Sequence, residues 1–237
     1  MDILGIPIDA LTREEILLRV KTFLKEPKFH QIATVNPEFL REAEKNTDFR
    51  TVLLDTDLRV ADGFGIVLAG LLRGTYIERF PGTDLMDEIL SLANEQTLSV
   101  YLAVNKDGLS SFEEIRSALL KKYAHLIVRG ADMDPKHSES YTLQATSYKL
   151  ALCNFGAPAQ EIFLSRLRKE PGTVRLAMGV GGSFDYLTGK QKRAPQFLRA
   201  IGLEWLWRLI RQPKRWRRIW NALVVFPFLF LSATIKK

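Results

Sequence analysis

Apolar positions along this chain alternate between two periods. Short runs in which every residue or every second residue is apolar fall at Gln31–Val35, Leu58–Ala61, Ser99–Val104, Leu126–Arg129, Leu150–Cys153 and Val174–Met178, and read as strands. Between them apolar residues recur three and four apart, the spacing of an amphipathic helix. Several helix starts carry their own chemistry. Thr12-Arg-Glu-Glu15 is a capping box that opens a helix to about Lys25, and Ser110-Ser-Phe-Glu113 is another that opens a helix to Tyr123. Asn36 followed by Pro37 is an N-cap and first-turn proline for a helix over Glu38–Asn46. Further helices are expected over Phe64–Leu72, from Thr83 or Asp84 through Leu92, near Ser138–Ser147, and over Pro158–Lys169. Strands alternating with helices of this length predict an α/β fold, a mostly parallel sheet with helices on its faces.

The rhythm stops after Gly189, and charge explains what replaces it. The segment from Lys190 to Arg218 holds ten Lys or Arg against one acid, Glu204, so it carries +9 in a chain of net charge +7 and leaves the rest at −2. All four tryptophans, Trp205, Trp207, Trp216 and Trp220, lie within or beside it. An apolar run from Ala222 to Leu231 follows, interrupted by Pro227. It is about half the ~20 residues that span a bilayer. Residues 1–189 are therefore expected to form the core, and 190–237 a basic helical appendage. A cationic, Trp-rich segment with a short apolar end fits an anionic membrane surface best. The competing readings are a helical hairpin docked on the core with solvated arginines, and a grip on nucleic acid.

At 237 residues and 46% hydrophobic content the chain supports a substantial core. A single cysteine, Cys153, excludes an internal disulfide and reads as a buried thiol in a reducing compartment. Met1-Asp-Ile-Leu-Gly-Ile is acidic and too short for a signal peptide, so the expected location is the cytoplasm, reaching a membrane from that side. His30, His125 and His137 are scattered without metal-ligand spacing, and no metal site is expected.

In parallel sheets ligands bind beyond the C-terminal ends of the strands. The residues so placed are Thr34–Asn36, Asp62-Gly63, Asn105–Gly108, Asn154–Gln160 and Gly179–Ser183. Asp62 closes an apolar strand, where a carboxylate can serve as general base; the plainer role is a cap on the next helix. Thr34 and Asn36 share one side by strand alternation, and the helix start at Asn36-Pro37 offers backbone N–H groups to an anion. The plainer roles there are a helix cap and a satisfied core hydroxyl. Gln160 is placed to hydrogen-bond a sugar or base, and Glu161 to meet either a ligand or the helix dipole. Gly179-Val-Gly-Gly-Ser183 misses the dinucleotide spacing, with Phe184 at the sixth position, and lacks the ending of a P-loop. Arg79, in a loop before a helix, is a phosphate fork or a solvated cation.

Together these pieces resemble the WecG/TagA/CpsF bacterial glycosyltransferases. The matching stretches are Thr34-Val-Asn-Pro-Glu38, Val60-Ala-Asp-Gly63, Arg79-Phe-Pro-Gly-Thr-Asp84, Gly156-Ala-Pro-Ala-Gln-Glu161 and Gly179-Val-Gly-Gly-Ser-Phe-Asp185. Arg193-Ala-Pro195, Gly202-Leu-Glu-Trp-Leu-Trp-Arg208 and Pro213-Lys-Arg-Trp-Arg-Arg218 continue the series in order. The resemblance implies a Rossmann-like core and an inverting, metal-independent transferase without a cofactor. It would move an N-acetylmannosamine-type sugar from a UDP-sugar to an N-acetylglucosamine on a polyprenyl diphosphate, in cell-surface polysaccharide or teichoic acid synthesis. The family's base falls on Asp62. Its substrate-contacting residues fall on Thr34, Asn36, Arg79 and Gln160, and its diphosphate-holding arginines on Arg208, Arg215 and Arg218. The implied partners are the UDP-sugar, the lipid-linked acceptor and the anionic cytoplasmic face of the membrane, with no nucleic acid; the oligomeric state stays open. Two departures fall where the donor nucleotide would be handled: only Gly108 remains of a Gly-rich turn, and Arg129-Gly-Ala-Asp-Met-Asp-Pro135 replaces a second Gly-rich segment; Ala159 also stands where a lysine is common. The altered Val104–Asp107 turn motivates the alternative of a non-catalytic membrane-surface or nucleic-acid-binding protein on a degenerate transferase core.

Overall fold

The computed structural model describes residues 1–140, 147–200 and 202–211, with Trp216, Phe226 and Phe230. A short antiparallel hairpin, β1 (Asp2–Ile3) and β2 (Ile6–Pro7), precedes the main sheet. The sheet strands are β3 (His30–Val35), β4 (Leu58–Ala61), β5 (Ser99–Asn105), β6 (Ile127–Met133), β7 (Leu150–Cys153) and β8 (Leu176–Gly179). They pair in parallel in the order β4-β3-β8-β7-β5-β6. The layers are those of an α/β fold, as the alternating pattern predicts. The strand order differs from the 3-2-1-4-5-6 order of the dinucleotide-binding fold, so the Rossmann likeness lies in the layering.

The helices are α1 (Arg13–Lys25), α2 (Pro37–Lys45), α3 (Thr47–Asp55), α4 (Phe64–Leu72), α5 (Gly82–Glu95) and α6 (Phe112–Lys122), followed by α7 (Ala159–Ser165), α8 (Ser183–Leu187), α9 (Gln196–Ala200) and α10 (Glu204–Arg211). Strand alternation sorts them onto two faces. Ile32, Val60, Leu102, Leu152 and Met178 point to one side and pack with Ile16, Val20, Ile89 and Ile115 of α1, α5 and α6. The opposite parity is small. Ala33, Val35 and Ala61 meet α2, α3 and α4 there, while Ala103, Ala151, Cys153 and Ala177 meet α7. Small side chains let that second layer of helices approach the sheet closely. Phe226 and Phe230, each 2% exposed, complete the cluster under α2, α3 and α4.

Local chemistry accounts for the helix ends, with some corrections. The Thr12 hydroxyl accepts from the Glu15 N–H at 3.3 Å and the Glu15 carboxylate accepts from the Thr12 N–H at 2.8 Å, as expected of the capping box. On α6 the box is one residue later than predicted. Ser111 caps and Glu114 reciprocates, because the buried Ser110 hydroxyl is taken by Asp185 at 2.9 Å and Thr188 at 2.7 Å. Asn46 ends α2 and caps α3, a helix the sequence reading omitted. The helix expected near 138–147 falls largely outside the described residues, and Pro135–Ser140 is a 3-10 turn. Over Pro158–Lys169 the α-helix stops at Ser165 and continues as a short 3-10 turn, Arg166–Arg168.

Candidate active site

A cavity of about 750 Å³ opens over the C-terminal ends of β4, β3, β8 and β7. Four of the five strand-end groups named from the sequence line it. The fifth, Asn105–Gly108, does not, because β5 sits one strand beyond the cavity.

Asp62 follows β4, its N–H donating to the Val35 carbonyl at 2.9 Å. Its Oδ1 accepts from the Gly82 N–H at 3.1 Å. The carboxylate therefore binds the start of α5. It does not cap α4, whose N-cap is Gly63 without a side-chain hydrogen bond. The chain can pass this close only without side chains: a Cβ on Gly63 would stand 2.7 Å from Pro37 Cδ, and one on Gly65 2.7 Å from Pro37 Cγ. Arg79 holds the same turn, its Nε donating to the Asp62 carbonyl at 2.7 Å. Its Nη2 meets the Glu204 carboxylate at 3.3 Å.

Asn36 spends its side-chain oxygen on the Glu38 and Phe39 N–H groups, at 2.9 and 3.1 Å, so it faces the cavity as a helix cap. Thr34 is 7% exposed and lies against Gly82, where a Cβ would come 3.0 Å from the threonine Oγ1. Thr83 Oγ1 and Ser183 Oγ lie 3.0 Å apart across the wall. Thr83 does not cap α5; Pro81 holds that position.

Gln160 is 3% exposed, and its amide is engaged at both ends. The oxygen accepts from the Gly156 and Gly181 N–H groups at 3.0 and 3.1 Å, pinning the β7–α7 and β8–α8 loops together. The nitrogen donates to Glu161 Oε1 at 2.6 Å. Gly179 leaves room for this pair, since a Cβ there would collide with Gln160 Nε2 and Glu161 Oε1. The glycine-rich turn thus makes its close approach to protein. Burial, against the weaker pull of the Gln160 amide, pushes the Glu161 carboxyl up to about 8.

Residues after Gly189 contribute to the cavity wall. Glu204 and Trp205 of α10 line it, and Arg193 reaches the core through Asp84 at 2.6 Å. Arg208 lies on α10, with a side chain outside the described residues; Arg215 and Arg218 lie wholly outside them. Sequence reasoning passed over Glu204 as a site residue; its standing as the lone acid in a strongly basic segment was the available signal, and the structure pairs it with the half-buried Arg79. Among the described residues no cluster of three or more His, Cys, Asp or Glu is placed to hold a metal ion. No described helix is long and apolar enough to cross a membrane.

A parallel α/β sheet with a polar cavity at its strand ends, carrying one carboxylate at a strand terminus beside a fixed arginine, is an arrangement suited to group transfer onto a hydroxyl. The chain belongs to the glycosyl transferase WecG/TagA/CpsF family, whose model matches residues 1–237, and it is a glycosyltransferase. It is 32% identical over 200 residues to the N-acetylglucosaminyldiphosphoundecaprenol N-acetyl-beta-D-mannosaminyltransferase of Bacillus subtilis (strain 168), covering 79% of this chain and 74% of the relative. A protein of the same name from Staphylococcus aureus (strain MRSA252) is 28% identical over 245 residues, covering 100% of this chain and 93% of the relative.

Proposed function

We propose that the protein transfers N-acetylmannosamine, or a related sugar, from a UDP-linked donor to the N-acetylglucosamine of a polyprenyl-diphosphate acceptor. The polymer served is a cell-surface polysaccharide or teichoic acid. The observation that carries this reading is Asp62, a carboxylate on the cavity wall, oriented by the Gly82 N–H and held in a turn braced by Arg79. In the reaction the acceptor hydroxyl gives its proton to Asp62 as its oxygen attacks the donor's anomeric carbon. The bond from that carbon to the diphosphate breaks, and UDP leaves with the electron pair. Attack opposite the leaving group converts an α-linked donor into a β-linked product, the linkage in the relatives' names. Transfer is metal-independent in this reading. Arg208, Arg215 and Arg218 stabilise the diphosphate charge, while Thr34, Asn36, Arg79 and Gln160 shape the sugar site. The enzyme works peripherally at the anionic cytoplasmic face of the membrane.

The test is Asp62→Asn, assayed with UDP-sugars and a lipid-diphosphate-GlcNAc acceptor. A fall of ~10²–10⁴-fold in kcat with the fold intact is expected, and near-full activity would remove Asp62 as the base. Mass spectrometry of the wild-type product identifies the sugar, and turnover in EDTA is expected to persist. Absence of any sugar transfer by the wild type would favour a non-catalytic binding protein.

A further inference from the structure

The helix that starts two residues after Asp62 has an unusual surface. The α4 sequence Phe-Gly-Ile-Val-Leu-Ala-Gly-Leu-Leu contains no polar side chain, whereas a helix on a globular surface ordinarily turns a polar face to water. Its inner side, Ile66, Ala69 and Gly70, is buried. On its outer side Phe64, Leu68, Leu71 and Leu72 remain 48%, 38%, 54% and 58% exposed. Their spacing is i, i+4, i+7 and i+8, which places them within an arc of roughly 100° along about 12 Å of helix. Scattered exposed leucines are ordinary, but a continuous stripe marks a binding surface.

This stripe has a direction. Phe64 lines the cavity that holds Asp62, and the Gly202 turn packs against its ring, where a Cβ would come 3.1 Å from Phe64 Cδ2. The stripe therefore begins at the rim of the catalytic cavity and runs away from it without meeting a charge along α4.

We propose that this stripe is the track on which the polyisoprenyl chain of the acceptor lies as it leaves the cavity. The inference rests on the acceptor proposed above. An acceptor hydroxyl at Asp62 places the sugar and diphosphate in the cavity, so the attached hydrocarbon must emerge at the rim. Leaving over Phe64 and along Leu68, Leu71 and Leu72 removes apolar surface of both partners from water and desolvates no charged side chain on the helix.

The test compares two GlcNAc-diphosphate lipids, one with a short water-soluble chain and one with a long polyprenyl chain, both in non-ionic detergent so that no bilayer is present. Equilibrium binding is measured first, then kcat/KM. The variants are Leu71→Gln/Leu72→Gln and Leu68→Gln/Leu71→Gln, which keep a good helix former at exposed positions; circular dichroism checks the fold. The wild type is expected to bind the long chain more tightly than the short one. Each variant is expected to lose about tenfold of that preference, equivalent to ~1.4 kcal/mol, with short-chain binding unchanged.

The inference is overturned by an unchanged preference in the variants, by an equal loss for both lipids, or by a wild type that binds neither. A drop in sedimentation coefficient in the variants would make the stripe a contact between two copies of the chain. Lost binding to anionic phospholipid vesicles that carry no GlcNAc-diphosphate lipid, with the preference in detergent intact, would make it a bilayer contact. If both lipids bind and no sugar is transferred, the proposed reaction fails and the binding preference still decides the track.

Discussion

Glu161 shows how one buried residue sets a pH dependence for the whole protein. It occupies the first turn of α7, where burial raises its carboxyl from 4.5 to about 8. Between those values the folded protein keeps a proton that the unfolded chain has released, so stability falls as pH rises through that window. The limiting slope for one proton is ~1.4 kcal/mol per pH unit. Glu161→Gln is neutral throughout and should flatten the profile, which urea unfolding at several pH values from 4.5 to 8 will show. A second residue-scale expectation concerns Cys153, whose thiol is buried and pushed well above its usual range by desolvation. A thiol reagent should label it at the rate of unfolding, as stopped-time labelling in rising denaturant would reveal. Asp62 was legible in the sequence because its position depends on one strand end and one glycine. The setting of Glu161 was not, since Gly179, which makes room for it, and Gln31, which donates to its carbonyl at 3.1 Å, come from other strands.

Among the elements, all six strands of the main sheet were read, and the residues that start the helices were read less well. The pattern Ser-x-x-Glu occurs at both Ser110 and Ser111, and only the packing of Ser110 against Asp185 and Thr188 selects the second. Ser111→Ala should accordingly cost ~1 kcal/mol as a lost cap. Loss of stability in Ser110→Ala would instead reflect the α6–α8 contact, and denaturant midpoints for the two variants and their double separate these effects. The β4–α4 junction makes a sterically defined prediction. Gly63→Ala puts a Cβ against Pro37, so β4–α4 and β3–α2 must separate, carrying Asp62 with them. Destabilisation of ~1–3 kcal/mol is expected from overpacking, with kcat falling more than Tm would suggest; thermal unfolding beside steady-state kinetics checks both.

At the scale of the molecule, the described residues after Gly189 join the rest of the protein in two ways. Charge ties them at Arg193–Asp84, Lys190–Glu114 and Arg79–Glu204. Apolar contact ties them through Phe226 and Phe230, buried with Ala33, Val35 and Ile66, and the Phe230 ring also lies under the Arg73 guanidinium, 4.9 Å away. Phe226→Ala should therefore destabilise the protein by ~3–5 kcal/mol. Phe197→Ala, at a position 65% exposed, should stay within ~0.5 kcal/mol. Calorimetric Tm values for the pair test whether this apolar end is part of the core. Removing residues 224–237 is then expected to lower Tm, because two core phenylalanines leave with it.

The sequence by itself determined the α/β class, the succession of strands and helices, and which segments end at strand termini. Those properties are set by residue periodicity and by side chains capping their own backbone, both local. It also marked residues 190–218 as basic, since charge is read without coordinates. Only the tertiary structure decided the strand order β4-β3-β8-β7-β5-β6, which puts four strand ends around one cavity and excludes the end of β5. It also decided that Glu204 faces Arg79 across 125 residues of chain, and that α4 carries an exposed apolar stripe from the cavity rim. Such pairings depend on which surfaces bury each other, a choice made by the whole chain at once and written in no single stretch of it.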